Sequence, residues 1–171
     1  MTRIAIVYYS LYGHVRTMAA EIKAGIVEAG ATCDVYQVAE TLSEEILGKM
    51  HAPPKSDDPV ITAEKLAEYD GIIFGISSRY GSIPAQLKTF FDSTGGLWRT
   101  GALLGKPCAC FQSTASQCGG QESSALTGAL PFIAHHGMVF VPLGYRSPSQ
   151  YNLDEVHGSS PWGSGTYVSA C

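Results

Sequence analysis

The chain has 171 residues, enough for one hydrophobic core and too few for two ordinary domains, so we expect a single domain over residues 1–171. Its formal net charge of −4 comes without a dense Lys/Arg cluster, which argues against a nucleic-acid partner. No apolar run approaches the ~20 residues of a membrane helix and no apolar leader follows Met1, so we expect no membrane span and a cytoplasmic location. Five cysteines without a C-x-x-C spacing favour reduced thiols and indicate no metal site.

The opening segment predicts a strand, a helix and a second strand. An apolar run covers 3–9, helical spacing of apolar residues continues to Gly30, and a second β-rich run covers 33–38. Such a unit has two parallel strands joined by a right-handed crossover. A short helix over 41–50 and a Pro-rich loop follow, and another helical pattern runs to Asp70.

The second half of the chain continues this alternation. The predicted strands cover 71–77, 106–114 and 138–145, and the predicted helices cover 84–94 and 121–136, the latter kinked at Pro131. Five strands that alternate with helices predict an α/β fold with a doubly wound parallel sheet of the flavodoxin-like order 2-1-3-4-5. Ligands bind such sheets beyond the carboxyl ends of the strands where the order reverses, here between the first and third strands.

Three polar loops converge on that point. The first, SLYGHV (10–15), combines hydroxyls, a glycine and the free N–H groups of a helix start, which suit a phosphate, although a plain polar turn is the alternative. It has neither the dinucleotide nor the triphosphate fingerprint. The second, SSRYGSIP (77–84), offers Tyr80 as a stacking surface for a flat heterocycle. The third, STASQCGGQ (113–121), adds backbone donors.

Two aromatic residues outside these loops are further candidates. Trp98 follows two glycines in a predicted loop, where its indole would cap a planar ligand, a subunit interface or the edge of the core. His135 and His136 end the kinked helix, and we expect an imidazole there to face the ring of loops and contact a ligand, or else to cap the helix. From the residue pattern alone, His14, His51 and His157 are expected at the surface.

Five stretches of the chain together resemble the flavodoxin-like NAD(P)H:quinone oxidoreductases of the WrbA family, especially the fungal members that include minor mould allergens. They read IVYYSLYGH, YDGIIFGISSRYGSIPAQLKTFFDSTGGLW, GGQESSALT, HHGMVFVPLGY and NLDEVHGSSPWGSGT. The resemblance implies FMN as the cofactor, NADH or NADPH as co-substrate, and two-electron ping-pong reduction of a quinone to a hydroquinone. It also implies a cytosolic homodimer or homotetramer with a role in oxidative stress, whose flavin site is completed by neighbouring subunits.

The same resemblance assigns residues to the flavin site. The implied cofactor-binding residues are Ser10, Leu11, Tyr12, Gly13, His14, Val15, Ser78, Arg79, Tyr80, Ser113, Thr114, Ala115, Ser116, Gln117, Cys118, Gly119 and His135. Trp98 and His135 are the implied catalytic residues, His135 as a candidate proton donor, and Tyr12 and Trp98 match the positions that touch nicotinamide and quinone. Family members commonly have glycine where this chain has Cys118, whose thiol would crowd the flavin or make its site thiol-sensitive.

The chain departs from the family at its end. Family members continue past GSGT into a final helix, which is missing here, so we expect a C-terminally truncated domain. Because that helix would share one face of the sheet with the first helix, we expect an exposed apolar stripe on that face. The alternatives to an enzyme are a non-enzymatic FMN-binding electron carrier and an inactive truncated scaffold.

Overall fold

Strands and helices alternate along the chain in the computed structural model, which describes residues 1–116 and 120–168. The strands are β1 (Arg3–Tyr8), β2 (Thr32–Gln37), β3 (Gly71–Ser77), β4 (Pro107–Thr114), β5 (Val139–Phe140) and β6 (Ser164–Tyr167). The helices are α1 (His14–Glu28), α2 (Glu44–Lys49), α3 (Ala63–Leu66), α4 (Ala85–Ser93), α5 (Gly95–Thr100), α6 (Gln121–Ser124) and α7 (Leu130–His135). Three predicted site residues, Gln117, Cys118 and Gly119, lie outside the described residues.

The sheet order confirms the predicted flavodoxin-like topology. The strands are parallel and follow the order β2-β1-β3-β4-β5. The last position in the sheet is shared, because β5 pairs with the start of β4 and β6 pairs with its end. The single strand predicted over 138–145 is therefore wrong: pairing stops near Pro142, which has no N–H to donate to a ladder. The sequence of β6, SGTY, is too polar and Gly-rich to be recognised as a strand.

Three helical predictions also need correction. The helix predicted up to Asp70 ends at Leu66, where the Lys106 ammonium donates to the carbonyl oxygens of Ala67 and Tyr69 at 2.5 and 2.7 Å and so replaces further helical bonds. The loop predicted around Trp98 is the helix α5. The irregularity predicted at Pro131 is a π-helical turn over Ala125–Ala129, between α6 and α7.

The larger part of the core lies on the face of the sheet that α4 and α7 cover. Ile72, Phe74 and Ile76 of β3 point to this face and are fully buried. They pack with Leu87 of α4 and Ile133 of α7. A central parallel strand carries apolar side chains on both of its faces, because helices cover both sides of the sheet.

The opposite face packs against α1 and is less completely covered. Ile6, Tyr8 and Phe111 are buried there against Val15 of α1. At the β4–β5 edge of the same face Val139 is 55% exposed. Among the described residues, none of the helices has the length and apolar character needed to cross a membrane.

Candidate functional site

The carboxyl ends of β1, β3 and β4 open into a cavity of about 630 Å³, at the predicted switch point of the sheet. Its lining comes from all three predicted loops and from two further segments. The lining residues are Ser10, Leu11, Tyr12, His14, Val15, Met50, His51, Ser77, Ser78, Arg79, Ser113, Thr114, Ala115 and Val168. The structure therefore brings most of the predicted cofactor-binding residues together around one space.

The first loop leads directly into the start of α1. Gly13 precedes the helix with a φ of +91°, a conformation that glycine adopts without steric cost. No side chain caps this end of the helix and no acidic residue occupies its first turn. The free N–H groups and the positive end of the helix dipole therefore remain available beside Ser10 and Tyr12 for an anionic group such as a phosphate.

The charge of the cavity favours an anionic ligand. In the described part of the chain its lining contains Arg79, His14 and His51 and no Asp or Glu, although the whole protein carries a net charge of −4. The Arg79 guanidinium also donates to the carbonyl oxygen of Ser78 at 2.9 Å. A cavity that is lined by the Arg79 guanidinium and, among the described residues, by no carboxylate suits a flavin mononucleotide, which carries a phosphate dianion.

One buried hydroxyl at the cavity has no protein partner. Ser77 is 9% exposed, it ends β3, and its Oγ makes no hydrogen bond with the described residues. A buried polar atom that stays unpaired is destabilising, so such atoms usually await a ligand or an ordered water. The Ser77 hydroxyl therefore fits a polar edge of a bound ring, as the FMN hypothesis requires.

The second loop forms a tight hairpin turn at the rim. Arg79 and Ser82 exchange two backbone hydrogen bonds of 2.9 Å, and the residues between them, Tyr80 and Gly81, both have positive φ. A side chain at Gly120 would place its Cβ 2.8 Å from the Gly81 Cα, so only glycine allows the third loop to approach this turn. Tyr80 is fully exposed and does not line the cavity, so the predicted stacking surface is absent within one chain.

Behind the cavity, Glu40 connects several segments that support its walls. Its carboxylate accepts hydrogen bonds from Tyr9 Oη at 3.1 Å and Gln86 Nε2 at 2.9 Å, and it pairs with Lys55. Burial opposes ionisation, but the bonds from Lys55, the Leu42 N–H and Gln86 outweigh it and lower the pKa of Glu40 to about 2. Burial and the neighbouring carboxylate raise the pKa of Tyr9. The Glu40 carboxylate is thus ionised across the working pH range.

A wall that the sequence did not predict comes from the segment after α2. Tyr12 Oη donates to the Met50 carbonyl oxygen at 3.2 Å, which fastens this segment to the first loop. Further along, Tyr8 Oη donates to Asp58 Oδ2 at 2.6 Å. The only signal for this wall in the sequence was a Pro-rich loop after a short helix. His51 is exposed, as expected, but it also lines the cavity. Val168 was missed because it follows β6, which the sequence did not predict.

Trp98 and His135 lie together, but away from the cavity. They line a shallow depression between α4, α5 and α7, with Phe91 and Phe132. α7 runs back from the carboxyl edge of the sheet, so its end lies near the start of β4. Contrary to expectation, His135 does not line the cavity between the three loops within one chain; it lines a separate pocket with Ser82 and Ile83 of the second loop. The neighbouring His136 is buried and shares a 2.9 Å hydrogen bond with Thr94 Oγ1.

Comparisons with known proteins agree with this site. Residues 2–152 match the family of NADPH-dependent FMN reductases. The chain is 54% identical over 171 residues to a quinone-oxidoreductase QR2 of Triphysaria versicolor, covering 99% of this chain and 83% of the relative. It is 52% identical to the NAD(P)H quinone oxidoreductase PST1 of Candida albicans, covering 98% and 84%, and 52% identical to the minor allergen Alt a 7 of Alternaria alternata, covering 96% and 82%.

Solved structures show the same fold. A flavodoxin, WrbA-like protein from Agrobacterium tumefaciens matches with a TM-score of 0.62 at 26% identity, covering 86% of this chain and 82% of that one. A flavodoxin of Megasphaera elsdenii matches with a TM-score of 0.57 at 20% identity, covering 80% of each chain. The predicted flavodoxin-like fold and the WrbA-type resemblance are confirmed, and the chain belongs to the family of NADPH-dependent FMN reductases.

Proposed function

We propose that the protein is an FMN-dependent NAD(P)H:quinone oxidoreductase. The cavity at the switch point of the sheet is the observation that carries this proposal. The three donor-rich loops line it, and none of its described lining residues is Asp or Glu. Relatives named as quinone oxidoreductases that are 50–54% identical along almost the whole chain support the same activity. When bound, FMN supplies two-electron chemistry that connects oxidation of NADH or NADPH to reduction of a quinone.

Different residues of the cavity would bind the phosphate and the ring of FMN. The N-terminus of α1 and the Ser10 hydroxyl would hold the phosphate. Backbone and hydroxyl groups around Ser78 and Thr114 would hold the ring, and the Ser77 hydroxyl would find its missing partner there. The Arg79 guanidinium would stabilise negative charge in the cavity. Tyr12, which lines the cavity and is 47% exposed, would contact the second ligand.

A second copy of the chain is proposed to complete the site. Trp98 is 61% exposed, and Leu104, 72% exposed, lies on the short segment after α5. With the depression formed by Phe91 and Phe132, these side chains make an apolar surface that is costly to leave in water. A homodimer or homotetramer would bury it. Trp98 and His135 would then reach the cavity of a neighbouring subunit, where the resemblance assigns Trp98 contact with the substrates and His135 contact with the flavin as a candidate proton donor.

The proposed location is the cytoplasm. The three cysteines described in the structure, Cys33, Cys108 and Cys110, are buried and free, and reduced thiols are typical of that compartment. Burial raises the pKa of both thiols in β4, which makes them poor nucleophiles.

A reconstitution experiment tests the function against its two alternatives. The protein is incubated with FMN and desalted, and its visible spectrum is recorded before and after adding NADH and then benzoquinone. A retained flavin spectrum that bleaches with NADH and recovers with benzoquinone supports the reductase. A retained spectrum without steady-state turnover would indicate an electron carrier. A folded protein that retains no flavin would indicate a scaffold.

A further inference from the structure

His51 has a left-handed backbone conformation just after α2. It follows the end of α2 with a φ of +52°, in the left-handed region that is uncommon for residues other than glycine and that His, Asn and Asp adopt more often than other side chains. Glycine is the usual residue where a helix ends in this conformation. Strained residues of this kind are retained mainly where their side chain has a task.

The surrounding structure holds His51 in this conformation from both sides. Its N–H donates to the Gly48 carbonyl oxygen at 3.1 Å, and the preceding carbonyl, that of Met50, accepts the hydroxyl of Tyr12. The chain that follows is fixed by the pairing of Lys55 with Glu40. His51 is therefore a fixed part of the cavity wall, and thermal motion of a loose loop does not account for its position.

The position of His51 relative to the phosphate site indicates what it would meet. The 5′-phosphate of FMN would lie at the N-terminus of α1, which begins with His14. His51 belongs to a different segment, the one after α2, and lines the same cavity while exposed to solvent, so a ligand that enters after the flavin would meet it. The pyridine nucleotide is that ligand, and it carries a diphosphate. No Asp or Glu among the described lining residues would repel these phosphates.

We propose that His51 contacts the diphosphate of NADH or NADPH and is a specificity-determining residue for the pyridine nucleotide. This inference rests on the proposed function. The imidazole donates a hydrogen bond to a phosphate oxygen, while Tyr12, fastened to the adjacent carbonyl, sets the distance between the first loop and this wall. The left-handed conformation of His51 then places an imidazole at a position where glycine is the usual residue.

The test compares two reductants in the FMN-loaded protein. NADH carries the diphosphate, and 1-benzyl-1,4-dihydronicotinamide has the same reacting ring without any phosphate. The measured quantity is the ratio of kcat/KM for NADH to kcat/KM for the benzyl compound, with benzoquinone as acceptor. We expect this ratio to fall roughly tenfold in His51→Gly and by less in His51→Asn, which keeps a donor. His51→Gly should also melt at the same or a higher temperature, because glycine relieves the strain.

A matched control separates a specific contact from general electrostatics. Lys49→Gln removes a positive charge two residues away, outside the cavity lining, and should change the ratio by less than about twofold. An unchanged ratio in His51→Gly overturns the inference and leaves the function intact. A weaker affinity for FMN in His51→Gly, with unchanged affinity for riboflavin, would assign the imidazole to the flavin phosphate and also overturn it. A wild-type protein that retains FMN but oxidises neither reductant refutes the proposed function, and this inference with it.

Discussion

Replacing Glu40 by Gln should remove a large, pH-dependent part of the stability. The surrounding donors lower the pKa of this carboxyl from 4.5 to about 2. A difference of this size corresponds to roughly 3 kcal/mol, and since the side chain is only 17% exposed, solvent screening removes little of it. At pH 7 we expect Glu40→Gln to lower the free energy of unfolding by about 2–3 kcal/mol and the Tm by roughly 5–10 °C.

The sign of the pH dependence follows from the lowered pKa. The stabilisation by Glu40 is fully present above the pKa of the unfolded state, near 4.5, and is lost as the pH falls through about 2. The difference between wild type and Glu40→Gln, measured by urea unfolding, should therefore fall to less than half between pH 7 and pH 3. Glu45→Gln breaks an exposed helical ion pair and is the control, with an expected change of about 0.5 kcal/mol or less.

Two results would refute this reasoning. If Glu40→Gln unfolds within about 0.5 kcal/mol of the wild type at pH 7, the carboxylate does not join the segments around it as the structure indicates. If the difference between the two proteins is the same at pH 3 and at pH 7, the loss comes from packing and is unrelated to ionisation.

Three further substitutions test the cavity and its surroundings. Ser77→Ala should leave the stability of the flavin-free protein unchanged or slightly higher, because its hydroxyl has no partner among the described residues, and it should weaken FMN binding by roughly fivefold in a fluorescence titration. A lower stability of the flavin-free variant would contradict a ligand role for the hydroxyl. Gly120→Ala places a Cβ 2.8 Å from Gly81 at a φ of +86°, so unfolding should cost about 1–3 kcal/mol less and FMN affinity should fall. Trp98→Ala should dissociate the proposed oligomer in sedimentation velocity; an unchanged sedimentation coefficient would argue against an interface at this side chain.

The sequence predicts those parts of the fold and site that a pattern of neighbouring residues identifies. The strand over 71–77 is a continuous apolar run, and the first loop combines a glycine with a helix start, so both are recognisable without the structure. His51 and Val168 line the cavity only because distant segments bring them there, through the bond from Tyr12 to the Met50 carbonyl and the pairing of β6 with β4. No local pattern carries such contacts.

Trp98 and His135 illustrate a different limit of the sequence. The family resemblance assigns both to the flavin site, while the fold of a single chain separates them from it, because α7 carries His135 away from the carboxyl edge of the sheet. Their chemical suitability is visible in the sequence, but in the proposed oligomer their position relative to the cavity would depend on how the copies pack. Residue type alone cannot supply that arrangement.

The pairing of β6 with the end of β4 has a consequence for how the cavity forms during folding. The Val168 N–H donates to the Thr114 carbonyl oxygen at 2.9 Å, so the cavity wall at the third loop depends on contacts between segments that are distant in the sequence. The opposite wall begins with Ser10. Because contacts between distant segments form slowly, the complete pocket should form late in folding, and capture of the cofactor would distinguish fully folded molecules from partly folded ones.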